Sequence, residues 1–246
     1  MTPAAWDKRI ARAEKLACIH PAAAEPLRFY TEIARFQKTV YAALGDRSKL
    51  DTTLLMPHFA PLLLLIRRIG PQPLAQAAEE LTGRAHALQD LLIDPEPAAV
   101  YGFFARALLQ PYTELLARRS DIAVGNSPGA CPFCGEKPQV GVLREEGDGA
   151  KRSLVCSLCS TEWDFRRLVC PGCGEEAVDK LPVYTAAEFD YIRVEACESC
   201  RTYIKSVDLT KNGLAVPVVD ELATVPLNVW AEENGYSKLQ LNLLGL

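Results

Sequence analysis

Histidine is nearly missing from this chain, with three in 246 residues, His20, His58 and His86, and none beyond residue 86. A histidine-ligated open metal site or a histidine-based triad in the second half is therefore excluded. Long apolar runs are also missing. The longest, Leu62 to Ile66, falls far short of the roughly 20 residues a membrane-spanning helix needs. The first 25 residues, MTPAAWDKRIARAEKLACIHPAAAE, have no uninterrupted apolar stretch before a small-residue cleavage site, so a signal peptide is not expected. A basic excess is missing too. Lys plus Arg is 27 against 31 Asp plus Glu, a net charge of −4, which argues against a whole-chain nucleic-acid binder. With 49% hydrophobic and 24% charged residues, the chain is neither disordered nor fibrous and can bury a core.

Cysteine is scarce in one half and dense in the other. Only Cys18 precedes residue 130, whereas eight cysteines lie between Cys131 and Cys200. Charge divides at the same place, with +2 on residues 1–125 and −6 on residues 126–246. The first half reads as helices because apolar residues recur at steps of three and four, as in Leu27, Tyr30, Ile33, Val40, Tyr41 and Leu44. Similar stretches cover about 6–17, 58–69, 74–92 and 98–119. Pro57, Pro73 and Pro97 suit first-turn positions, and Pro111 is expected to kink or split the last helix. Cys18 falls in a helical stripe as a small buried thiol, and the three histidines are expected to pack or cap. The segment Gly125 to Ala130, GNSPGA, ends the helical pattern. Beyond it, Tyr191–Ala196 and Thr202–Val207 alternate as half-buried strands, and the tail from about Asp220 to Gly235 returns to a helix that Pro226 can interrupt.

The eight cysteines form four C-x-x-C pairs: Cys131 with Cys134, Cys156 with Cys159, Cys170 with Cys173, and Cys197 with Cys200. Each pair can aim two sulfurs at one point, and two pairs supply a tetrahedral tetrathiolate site. CPFCGE at 131–136 returns as CPGCGE at 170–175, an offset of 39 residues, and the second pairs follow at an offset of 41. This internal repeat assigns one metal ion to Cys131, Cys134, Cys156 and Cys159, and a second to Cys170, Cys173, Cys197 and Cys200. Interleaved pairing fits the repeat less well. Gly135 and Gly174 supply a residue free to take positive φ after the first pair of each repeat, which the second pairs lack. Ligands of sulfur alone make closed sites, which can hold zinc or iron, and ligand spacing does not decide between them. Disulfides would leave the repeated CPxCG turns unexplained, and a non-exported chain resides where thiols stay reduced. Two divalent ions would take residues 126–246 from −6 to −10, a field that repels phosphate backbones. Trp163 and Phe165 are expected to fill the small core beside the first site, and Glu145, Glu146 and Asp148 to form a solvated turn.

Taken with CPFCG, LVCSLCSTEWDFRRLVCPGCG, ACESCRTYIKS, DELATVPLNVWAEENGY and the closing KLQLNLLGL, the chain from about residue 127 to 246 resembles the formate dehydrogenase accessory proteins of the FdhE type. The resemblance implies a multidomain α+β fold, an N-terminal all-α helical bundle followed by two tandem rubredoxin-like or zinc-ribbon-like β modules. The corresponding divisions are 1–125, 126–167, 168–215 and a tail, 216–246. It also implies iron at the two sites, no catalysis, and a cytoplasmic role in assembling or activating formate dehydrogenase by binding its catalytic subunit. Asp164 stands where that family is expected to carry histidine. The alternatives are a rubredoxin-type iron electron carrier and, less well matched to the charge, a zinc-ribbon nucleic-acid binder.

Overall fold

The computed structural model describes residues 3–45, 49, 51–84, 86–93, 100–120, 129–147 and 149–246. Pro97, Gly125 to Pro128 and Asp148, for which the sequence suggests roles, lie outside the described residues. The first half is helical, with α1 (Pro3–Ile19), α2 (Ala24–Gly45), α3 (Met56–Ile69), α4 (Gln72–Leu81), α5 (Ala87–Ile93) and α6 (Gly102–Arg119). Pro57 and Pro73 sit in the first turns of α3 and α4, where a missing N–H costs nothing. The helix expected over 74–92 is instead two, α4 and α5, because the chain turns at Gly83 with φ +81°. Pro111 does not split α6. Its ring cannot donate to the carbonyl of Ala107, and the buried Gln37 amide on α2 donates to that oxygen in its place at 3.0 Å. Cys18 is exposed on α1, contrary to the buried thiol expected, since the apolar stripe runs through its neighbours Leu16 and Ala17.

The second half is one mixed sheet built from β1 (Pro138–Glu146), β2 (Gly149–Cys156), β3 (Glu162–Asp164), β4 (Val183–Thr185), β5 (Ile192–Ala196), β6 (Thr202–Asp208) and β7 (Ser237–Lys238). Each cysteine repeat makes an antiparallel three-stranded meander, and the order across the sheet is β3-β2-β1-β6-β5-β4. The two meanders join through a parallel pairing of β1 with β6, in which Gly141 faces Ser206 and Leu143 faces Asp208. Arg152 on β2 ties them again, pairing with Glu195 on β5 at 2.5 Å. The tail forms two short helices, α7 (Pro217–Ala223) and α8 (Val225–Glu233), with the break at Thr224 and Pro226 in the first turn of α8. β7 then pairs with the opening residues of β6.

Alternation sets the two faces of the sheet. Val140, Val142, Val155, Ile192, Val194, Tyr203 and Val207 point to the side covered by helices, and their apolar cluster continues without interruption into Trp6, Leu27, Ile33 and Phe104 of the bundle. The helical half and the sheet therefore share a core. Trp163, Phe165, Leu154, Ile204 and Leu239 form a second, smaller cluster around the first group of cysteines. Polar links cross the main interface as well. Arg12 of α1 meets the fully buried Asp220 of α7, with Nε 3.0 Å from Oδ2, and Tyr191 donates to the same carboxylate at 2.9 Å.

Candidate metal centres

Each cysteine pair sits on a tight turn in which the first cysteine's N–H donates to the carbonyl five residues on. Cys131 N–H donates to Glu136 O and Gly135 N–H to Cys131 O, at 2.8 and 2.9 Å, and Cys170 and Gly174 repeat this at 2.9 and 3.0 Å. Gly135 and Gly174 hold φ of +79° and +80°. The second pairs reach the same conformation without glycine, because Ser160 and Arg201 occupy the equivalent position at φ +53° and +55°. A non-glycine residue there carries a conformational cost of order 1 kcal/mol or more, so the surroundings must hold it in place.

The turns bring the sulfurs together as two groups of four, Cys131, Cys134, Cys156 and Cys159, and Cys170, Cys173, Cys197 and Cys200, each with all sulfurs within 4.8 Å. In the first group Cys131–Cys159, Cys134–Cys156 and Cys134–Cys159 are separated by 3.5, 3.3 and 3.5 Å. In the second, Cys170–Cys200 and Cys173–Cys197 are both 3.7 Å apart. A tetrahedron with metal–sulfur bonds of about 2.3 Å has edges of about 3.8 Å, so both donor sets fit one thiophilic ion, with no interleaving of the repeats. Backbone N–H groups of Phe133, Leu158 and Gly172 point at Cys131, Cys156 and Cys170 at 3.4, 3.4 and 3.3 Å. Such donors offset the negative charge that a tetrathiolate accumulates. Either group could hold a metal ion; bound zinc would supply folding energy, and bound iron would add one-electron exchange.

Two threonines complete the pattern and were not singled out from the sequence. Thr161 and Thr202 place their hydroxyls 3.1 and 3.0 Å from the sulfurs of Cys159 and Cys200. Their signal is the repeat itself, since CSLCST and CESCRT carry threonine at the same offset. Hydrogen bonds also set the titration of the thiols. Those from Cys134, Cys156 and Cys159 hold Cys131 far below its ordinary value, while Cys156 is pushed far up. In the second group burial pushes Cys170 up to about 12, whereas at Cys200 burial is outweighed by bonds to Thr202, Cys173 and Cys197, bringing it to about 7.

The groups differ in surroundings. Cys131, Cys156 and Cys159 are buried, but Cys173 of the second group is exposed. Helix α6 lies over the turn at 156–160: Arg106 and Gln110 donate to Ser157 Oγ and O at 3.1 and 3.0 Å, and Ser160 Oγ donates to Glu114 at 2.7 Å. Arg9 of α1 donates to both Glu114 and Ser160, each at 2.9 Å. In the second group the equivalent turn meets the tail, where Arg201 donates to Asn234 O at 2.7 Å and lies 4.2 Å above the Tyr236 ring. Trp163 and Phe165 fill the small core as expected, and Asp164 is exposed and pairs with Lys151 at 2.7 Å. Glu145 and Glu146 are exposed at the end of β1. Among the described residues no histidine joins either group. His20 packs against Phe189 at 5.2 Å between ring centres, His58 is half-buried with burial pushing its imidazole down, and His86 is exposed.

Fold and site together define a class: a helical bundle fused to paired β modules, each closed by four cysteines. Comparison with known proteins places the chain within it. Residues 130–167 match the family model "FdhE, central domain" and residues 169–244 match "FdhE, C-terminal domain". The chain is 32% identical over 206 residues to a "Protein FdhE homolog" of Aquifex aeolicus, covering 80% of this chain and 72% of that one. It is 34% identical over 179 residues to the homologue of Pseudomonas aeruginosa, covering 68% and 57% respectively. The chain belongs to the FdhE family. The crystal structure of the FdhE protein from Pseudomonas aeruginosa has the same fold, with a TM-score of 0.79 at 24% identity over 99% of this chain and 96% of that one.

Proposed function

We propose that this protein is a non-catalytic accessory factor for the assembly or activation of formate dehydrogenase, acting in the cytoplasm by binding the catalytic subunit through its metal-stabilised modules. The observation that carries the reading is family membership across both cysteine modules, residues 130–244. Sulfur-only ligand sets support it, because a closed tetrathiolate offers no position for a substrate. The cysteines of both groups are the ligands in this reading, with iron favoured over zinc by the family resemblance. No helix among the described residues is long and apolar enough to cross a membrane, and the −6 balance of residues 126–246 disfavours a nucleic-acid partner. The test is capture of a purified formate dehydrogenase catalytic subunit on the metal-loaded, immobilised protein. A complex that survives washing and is lost after chelation is expected; no binding at about 10 μM, a weak affinity by protein–protein standards, would overturn the proposal.

One observation favours a second reading, an iron electron carrier. Cys173 is exposed and Cys200 half-buried, so an ion in the second site would sit close to solvent and to any redox partner. Metal content and the visible spectrum of protein isolated without oxygen or added metal test the carrier reading. Two irons per chain with a ferric–thiolate spectrum that appears in air and bleaches with dithionite are compatible with both readings; two zincs and no colour rule out the carrier.

A further inference from the structure

The two cysteine groups are built alike but are held by different parts of the chain, and the difference falls on one equivalent residue. In each repeat the second turn carries a non-glycine residue at positive φ, Ser160 in the first and Arg201 in the second. Ser160 belongs to a buried cluster contributed by the bundle. Its hydroxyl donates to Glu114 at 2.7 Å and accepts from Arg9 at 2.9 Å, and Arg9 bonds Glu114 at 2.9 Å. Arg9 and Glu114 are only 6% and 2% exposed. One and two turns back along α6, Gln110 and Arg106 hold Ser157 in the same loop, and Gln110 is itself bonded by Gln37 of α2 at 2.9 Å. Arg201 has no link to the bundle among its described contacts. It bonds Gly235 O and Asn234 O at 3.3 and 2.7 Å, stacks on Tyr236, and accepts from Ser237 N–H at 2.8 Å, all within the tail.

From this asymmetry we propose that Arg9 and Glu114 are positioning residues for the first metal site, so that filling this site and docking α6 are one coupled equilibrium, whereas the second site is coupled to the tail. The inference rests on the reading that both groups bind metal. A metal ion closes the turn at 156–160 into the conformation that α6 grips, and the grip in turn holds Ser160 at a φ that a free chain disfavours. Coupling between two binding events is reciprocal. Weakening the grip must therefore loosen the metal, and removing the metal must loosen α6.

The experiment uses the full chain loaded with two zinc ions, a colorimetric chelator titration, and hydrogen exchange read by mass spectrometry. Ser160→Ala removes the bonds to Arg9 and Glu114 while leaving the four cysteines in place, and it is expected to release one of the two zincs about tenfold more readily, within the range typical of coupled sites. Arg201→Ala is expected to loosen the other zinc only. In wild type, exchange in α6 peptides should rise when the first, buried zinc leaves, and exchange in residues 234–246 when the second leaves. The inference is overturned if Ser160→Ala leaves both zinc affinities within twofold of wild type, or if α6 exchange is the same with and without zinc. Failure of wild type to hold any zinc or iron would instead overturn the metal reading itself, and the inference with it. If Ser160→Ala folds poorly, the wild-type exchange measurement still decides.

Discussion

Glu221 on α7 is fully buried, and so is its partner Lys205 on β6. Its Oε1 lies 2.9 Å from Lys205 Nζ and also meets Lys238 of β7, and Asn242 Nδ2 donates to Oε2 at 2.9 Å. Burial alone would raise this carboxyl, but the two ammonium groups and the amide outweigh it and hold it at about 2, against 4.5 for a free glutamate. A depression of that size is worth about 3 kcal/mol at neutral pH. Replacing Glu221 with Gln keeps the shape while leaving two cations facing an amide, a change that costs about 3–5 kcal/mol in buried pairs. The two routes agree, so Glu221→Gln is expected to lower unfolding stability by about 3–4 kcal/mol in urea at pH 7, with zinc content checked before each titration. Because the folded carboxyl titrates below the unfolded one, its stabilisation is complete above about pH 5 and is lost as pH falls from 4.5 toward 2. Burial brings Lys205 down to about 8, so the gap is read from pH 7 downward: it should hold to pH 5 and narrow below pH 4. Adding Lys205→Met, which removes the stranded cation, should recover part of the loss. A gap under about 1 kcal/mol at pH 7, with both zincs retained, would refute the reasoning.

Three further outcomes are expected. Gln37→Leu leaves Ala107 O without a donor, since Pro111 has no N–H to offer, and should cost about 1–3 kcal/mol in chemical denaturation. Gly141→Ala would place a Cβ 2.1 Å from Ser206 Oγ at the junction of β1 and β6, destabilising by about 1–3 kcal/mol; Ser206→Ala in the same chain should recover most of that, read as a double-mutant cycle. Cys18 is exposed on α1, so iodoacetamide should modify one thiol per metal-loaded chain and as many as nine after chelation and unfolding, counted by intact mass.

Legibility in the sequence followed the range of the interaction involved. Cysteine spacing is covalent and local, so four pairs at two near-equal offsets were enough to assign both groups. Strands β5 and β6 announced themselves by alternation, and the bundle helices by their apolar stripes. Breaks depended on partners that the local sequence does not contain. A proline in α6 is tolerated because Gln37, on another helix, supplies the missing donor. The long helix expected over 74–92 gives way at Thr82-Gly83, where the glycine in positive φ was a visible signal outweighed by the stripe on either side. Cys18 is exposed beside the buried Leu16 and Ala17 because a single residue's step around α1 separates the buried from the exposed face. Ser160 and Arg201 in positive φ were hidden for a further reason. Neither is a residue type that prefers that conformation, so only the repeat alignment with Gly135 and Gly174 could have exposed them.

β6 explains why two repeats make one sheet rather than two separate modules. Its first residues, Thr202 and Tyr203, pair with β7, its last, Ser206 to Asp208, pair with β1, and its other edge pairs with β5 along its length. Lys205, between those two pairings, reaches the backbone carbonyl of Glu221 and the hydroxyl of Thr224 on the helix side, the latter at 3.0 Å. Cut away from residues 126–167, this strand would lose β1 and expose backbone donors along an apolar edge, an arrangement that invites association between chains. The first meander would fare no better, since Val140, Val142 and Val155 face the bundle and the tail rather than its own small core. A metal in either site closes its own turns, but the sheet between them is completed only by both repeats together. That dependence places the cooperative unit at the joined sheet with α7 and β7, and it makes the β1–β6 pairing, not either cysteine group, the contact on which the second half of the chain turns.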